Sequence, residues 1–200
     1  MESGGWQSMT AMLHGADLTG LCLLTALLAV SAWTCLRPPP VPSQSRPAAA
    51  QTFGFYLLLW GYGAARQAPV VLWTPPVAMR HIAGLLTLIA FVLLAATYVP
   101  RNGIKARLHH PMVLSVKVWA FAHLLANGTL ADVLLFGSFL AWSVLSFSAA
   151  RRRDRVAGTR YPAGTMAGTL ATVVVGGAAW ALFAFRLHGW LIGVQPFHQG

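Results

Sequence analysis

Hydropathy fixes the class of this chain before any motif is considered. Apolar blocks of roughly twenty residues recur from Leu18 onward, each closed by arginines, prolines or glycines. A helix needs about 20 apolar residues to cross a hydrocarbon core about 30 Å thick. Hydrophobic residues make up 56% of the 200 positions and charged residues only 9%. That balance belongs to an integral membrane protein. The blocks predict an all-α, polytopic membrane helix bundle with about six transmembrane helices. The expected spans are 18–36, 48–65, 80–99, 111–127, 130–149 and 165–187. A short tail covers 1–16, one transmembrane domain covers 17–194, and a C-terminal tail covers 195–200.

The basic residues supply topology. The net charge is +10, but the cations flank apolar blocks rather than forming a soluble face. No nucleic-acid module is legible, and the lipid bilayer is the expected partner. With the N-terminus outside, the inner segments hold Arg37, Arg46, Arg101, Lys105, Arg107, Arg151, Arg152, Arg153, Arg155 and Arg160. The outer segments hold only Arg66, Arg80 and Arg186. This asymmetry predicts an N-out, C-out orientation. No Lys or Arg precedes Arg37, so the first block is expected to be a retained span rather than a cleaved leader. Cys22 and Cys35 both lie on that block, about 20 Å apart along a helix, too far to pair.

Local signals refine the picture. Pro38-Pro39-Pro40 ends the first block. The loop through Trp73-Thr74-Pro75-Pro76 reads as an ordered interfacial turn, and Lys105 and Arg107 read as a basic connector. Asn127-Gly128 is suited to a helix C-cap. Thr129 with Asp132 three residues on resembles a capping box. A tight helical hairpin is therefore expected there. Residues 151–160, with five arginines around Asp154, read as a solvated loop near anionic headgroups. Gly168, Gly176, Gly177, Ala178 and Ala179 give the last span a small-residue face for close packing.

Chemistry concentrates in the fourth span. Ionisable groups are costly in hydrocarbon and tend to mark function. Lys117 and His123 both lie inside this block, with Asn127 at its end. Trp119, His123 and Asn127 are spaced four apart and share a helix face. His110 and Lys117, seven apart, share another. Lys117 can snorkel to the inner headgroups or serve function. His123, about 18 Å past Pro111 along the helix, has two readings. One is an axial metal ligand or proton donor inside the bundle. The other is a neutral histidine bonded to a neighbouring helix. A second ligand would come from another helix, where His81 and His188 are available. Hydrolytic sets are missing: no membrane carboxylate pair, no G-x-S-x-G and no phosphate cradle. No catalytic residue can be named, and enzymatic activity stays open. A small transporter is the weakest reading, since neither an inverted repeat nor a broken helix is evident.

The block His109-His110-Pro111-Met112 through Val116-Lys117-Val118-Trp119-Ala120-Phe121-Ala122-His123-Leu124-Leu125-Ala126-Asn127-Gly128 resembles the NnrU family of bacterial membrane proteins. So do Trp60-Gly61-Tyr62-Gly63, the stretch Ala68–Pro76, Phe136-Gly137-Ser138-Phe139-Leu140-Ala141-Trp142 and Leu187–Val194. The resemblance implies a multi-pass protein of the bacterial inner membrane, associated with nitrite and nitric oxide reductase systems. It also implies kinship with the plant 15-cis-zeta-carotene isomerase, which uses haem b. On that resemblance His123 matches a haem-ligand position, and His110 matches the histidine of the family's Arg-His-Pro motif, with His109 in place of arginine. Lys117, Trp119 and Asn127 then join the cofactor-binding set. Thr34-Cys35-Leu36-Arg37 stand where the family has His-Ser-Leu-Arg, whose histidine is the proposed second ligand. Cys35 joins His81 and His188 as a candidate for that role. Two functions are expected. One is a haem-associated redox or isomerase-type role, in nitrogen-oxide respiration or carotenoid-like chemistry. The alternative is a non-catalytic accessory or assembly protein for the nitrogen-oxide enzymes, its haem site degraded by loss of the first-span histidine.

Overall fold

The structure, a computed structural model, describes residues 60–197. The expected first span, with Cys22 and Cys35, and most of the second lie outside the described residues. Residues 60–65 are helical. Six further helices follow: α1 (Ala78–Tyr98), α2 (Gly103–Leu108), α3 (Pro111–Ala126), α4 (Leu130–Ala157), α5 (Met166–Leu182) and α6 (His188–Ile192). A π-helical turn, Phe183–Leu187, joins α5 to α6. Among the described residues there is no strand, only isolated bridges pairing Val71 with Thr129 and Asn102 with Thr165.

Three rods are long and apolar enough to cross a membrane: Ala78–Tyr98, Leu130–Ala157 and Met166–Ile192. Helix α3 is apolar but has only 16 residues, about 24 Å of rise. Two boundaries differ from the hydropathy reading. The basic connector folds as α2, because the Asn102 side chain caps it. Helix α4 continues past residue 149 through the arginines to Ala157. Arginine is a good helix former, so charge ends the apolar stretch without ending the helix. Gly158, at φ +62°, ends it instead. The Thr159 amide donates to the Asp154 carbonyl at 3.0 Å, the 6→1 bond of a Schellman motif.

The chain forms two compact units. In the first, Asn127–Ser138 pairs with the segment before Pro75. The Leu72 and Trp73 amides donate to the Gly128 carbonyl, and the Leu130 amide donates to Val70. Thr129 and Asp132 form the capping box: Thr129 Oγ1 accepts from the Asp132 amide, while Asp132 Oδ2 accepts from the Thr129 amide and hydroxyl. Tyr62 donates to Asp132 Oδ1 at 2.6 Å. A Cβ on Gly128 would stand 1.9 Å from the Trp73 carbonyl oxygen, so this turn accepts only glycine.

In the second unit, α1 packs against both α3 and α5. Its partners on the α5 side run backwards along the chain: Val92 meets Gly176, Phe91 meets Phe183, Thr87 meets Trp180 and Gly84 meets Phe197. The two rods are therefore antiparallel. The buried positions of α1 are Ala83, Gly84, Ala90, Leu93 and Ala96. Those of α3 include Ser115, Ala120 and Ala122. Meanwhile Leu85, Ile89, Leu170, Val174 and Phe185 are exposed. Large apolar side chains face outward and small ones inward, the reverse of a water-soluble core. The bilayer is the solvent this surface suits.

Joints of polar atoms hold the ends. Asn102, 2% exposed, accepts from the Lys105 amide and donates to the Ala96 and Val99 carbonyls. Its one side chain closes α1 and opens α2. Thr165 caps α5 through the Gly168 amide, and its own amide and hydroxyl donate to the Arg101 carbonyl.

The small-residue face is sharper than expected. A Cβ on Gly176 would lie 2.6 Å from Val92 Cα, whereas one on Gly177 meets nothing within 4 Å. Gly176→Ala should therefore lower thermal stability in detergent by about 1–3 kcal/mol, the scale of overpacking. Gly177→Ala should be neutral or slightly stabilising. Melting curves of the two variants side by side check this.

Candidate functional site

Two polar clusters of the second unit lie toward opposite ends of α3. His123 falls in the last turn of the helix. His110 immediately precedes Pro111, so about 20 Å of helix rise separates the two histidines.

At the His123 end, the ring Nδ1–H donates to the Trp119 carbonyl at 2.8 Å. A carbonyl only accepts, so the ring carries a proton on Nδ1, and in its neutral form the lone pair is on Nε2. The indole of Trp119 lies 4.9 Å from the imidazole, and the Phe139 ring meets Trp119 edge-on at 5.6 Å. Trp119 and His123 are thus brought together on one face, both half-buried. Asn127 lies beyond the last residue of α3, in the other compact unit. Lys117 is half-buried within α3. His81 is exposed in the first turn of α1. The His188 ring donates from Nδ1 to the Val194 carbonyl at 2.6 Å and meets Phe183 edge-on. No described contact sets either of these histidines against His123. Among the described residues no group of three or more His, Cys, Asp or Glu gathers as a metal site, and Cys35 lies outside them.

The other cluster was missed in the sequence as a site. His110 Nε2–H donates to Asp154 Oδ2 at 2.8 Å, and the Tyr161 hydroxyl donates to the same oxygen at 3.1 Å. The His109 ring stacks on Tyr161 at 4.2 Å with the planes 6° apart. Arg151 donates to His109 Nδ1. His109 sits at φ +69°, ψ −51°, and the His110 amide reaches the Leu108 carbonyl at 2.9 Å. This is a positive-φ γ-turn, an uncommon and strained backbone. It is held there by the stack, the Arg151 bond and Pro111. A signal existed in the sequence: one carboxylate amid five arginines, in a chain with four acids, implies a specific partner.

The NnrU protein family model matches residues 47–196. The chain belongs to the NnrU family. No curated protein and no solved structure shows a significant match. In this NnrU protein the residues of the longest motif are therefore split. Trp119 and His123 form one pair, while His110 joins a carboxylate and a tyrosine far along the same helix.

Asp154 lies past the apolar part of α4. Partial burial pushes its carboxyl up, but the hydrogen bonds from His110 and Tyr161, aided by the nearby imidazoles, bring it below the ordinary carboxylate range. Burial, then the Asp154 bond, push the Tyr161 phenol up. The sign follows: a lowered folded value means stability that is whole above the ordinary carboxylate range and lost as acid titrates the folded group. Asp154→Asn should lower the melting temperature at neutral pH. The gap between variant and wild type should narrow as pH falls below about 4. A melting series across pH checks this, and a gap that widened in acid would contradict it.

Proposed function

We propose that this NnrU protein is a six-span protein of the bacterial inner membrane, N-out and C-out, with one transmembrane domain at 17–194. In this reading it binds haem b through His123 and serves a redox or isomerase-type reaction. The observation that carries this reading is the His123 Nδ1–Trp119 carbonyl bond. Metal-bound histidines characteristically donate their second ring N–H to such an acceptor, which fixes the tautomer and raises basicity at the ligating nitrogen. The fit rests on donor chemistry: a lone pair on Nε2, carried by an apolar helix and backed by aromatic rings. Trp119 positions the imidazole, and Asn127 extends the same stretch past the helix end. His188 and His81 are the described candidates for a second ligand, with Cys35 outside the described residues.

Haem would supply one-electron chemistry or a Lewis-acidic iron. The chain's residues would orient that chemistry and carry protons. His110, Asp154 and Tyr161 form the titratable entrance at the basic end. Lys117, about 9–11 Å of rise from each histidine, is the intermediate station. His110 and Lys117 would serve either the propionates of the haem or this proton path.

A second reading is favoured by Thr34-Cys35 standing at the family's first-span histidine position. In it the protein is an accessory or assembly factor for nitrite or nitric oxide reductase systems and acts without haem.

The absorption spectrum of detergent-purified protein, expressed with added haem precursor, separates these readings. The haem reading expects a Soret band that His123→Ala reduces by tenfold or more. Thr34→His should strengthen it. No band in wild type after supplementation refutes the haem reading. An unchanged nitrogen-oxide phenotype in the His123→Ala strain then supports the accessory role.

A further inference from the structure

Helix α4 has two faces at its basic end. At 100° per residue, Ser143, Phe147, Ala150 and Asp154 fall on one side. Ser143 and Ala150 are 0% and 5% exposed, Phe147 touches the His110 ring, and Asp154 is bonded to His110 and Tyr161. Val144, Leu145, Ser148, Arg152, Arg155 and Val156 fall on the other. All six are exposed. The stripe is therefore apolar toward the helix middle and cationic at Arg152 and Arg155, with a hydroxyl between and Val156 just past the arginines. We propose that it is a binding site for an anionic phospholipid, with acyl chains along Val144 and Leu145 and the phosphate held by Arg152 and Arg155.

Depth supports the assignment. From Leu130 to Arg152 the helix rises about 33 Å, just more than a hydrocarbon core of about 30 Å. The guanidinium groups then stand at headgroup level, where their planar forks match phosphate oxygens. Charge agrees as well. Arg101, Lys105, Arg107 and Arg160 also lie in the segments at this end, and Asp154, the one carboxylate there among the described residues, is turned inward and satisfied by His110 and Tyr161. That latch fixes the azimuth of α4, so that Arg152 and Arg155 face outward rather than pairing with Asp154. The proposal rests on α4 crossing the bilayer, and it does not depend on haem.

The test uses the purified full chain in detergent. Dioleoyl phosphatidylglycerol and dioleoyl phosphatidylcholine are added at equal mole fraction, and retained lipid is counted by native mass spectrometry. Wild type should retain the anionic lipid preferentially. The double variant R152Q/R155Q should lose about fivefold of that preference per arginine, with its melting temperature in phosphatidylcholine unchanged. The charge-matched variant R107Q/R160Q should keep the preference. No preference in wild type overturns the proposal, as does equal loss in R107Q/R160Q, which would mean net charge alone is sensed. Displacement of the lipid by millimolar inorganic phosphate would overturn it in favour of a soluble-anion site. A chain that fractionates as soluble before any lipid is added would instead overturn the membrane reading beneath it.

Discussion

Backbone meets backbone where Gly176 passes Val92, and much of the second unit depends on that approach. Lipid tails are as apolar as leucine, so burying large side chains between helices gains little there. What remains is close van der Waals contact and internally satisfied polar groups. Glycine at 176 and alanines along α1 and α3 supply the first. Asn102 and Thr165, each bonded to several backbone groups, supply the second. With α1 set between α3 and α5, α3 gains a fixed frame, and His123 and Trp119 are presented on it.

The charges of the second unit are unevenly placed. The His123 ring is bonded to a backbone carbonyl. At the other end of α3, a carboxylate, two imidazoles, a phenol and a guanidinium form a connected set. The strained turn at His109 lets consecutive histidines take different partners, one stacked on Tyr161 and one bonded to Asp154. The same set orients α4 and so decides which arginines look outward. Proton handling and lipid recognition would then share one anchoring point without sharing residues at the surface.

The helical class, the presence of apolar rods and the family were legible in the sequence, because hydropathy and motif are local. So was the reciprocal bonding of Thr129 and Asp132, which depends on a spacing of three. The continuation of α4 was not. Arg151 to Arg155 lower hydropathy while favouring helix, so a hydropathy reading ends the span where the backbone does not. The α2 turn was missed because its stop and start rest on one side chain, Asn102, whose bonds reach back six residues. The Asp154 cluster was missed because the histidines that join it to α3 lie more than forty residues from their partners on α4, although Tyr161 is only seven residues from Asp154. The glycine face was half legible. Spacing marked Gly168, Gly176 and Gly177 alike, and only the packed neighbours distinguish Gly176 from Gly177.

The π-helical turn at Phe183–Leu187 has a consequence for how the end of the chain is built. Such a turn amounts to one extra residue accommodated within an otherwise regular helix. Everything after it is re-phased by about a quarter of a revolution relative to an uninterrupted rod. The extra residue therefore turns His188 from about 120° off the Gly176 stripe to about 20° from it, and carries Trp190 round to the opposite side. The segment behaves as a vernier, letting the distal aromatic and histidine positions be aimed independently of the seam that locks α5 to α1.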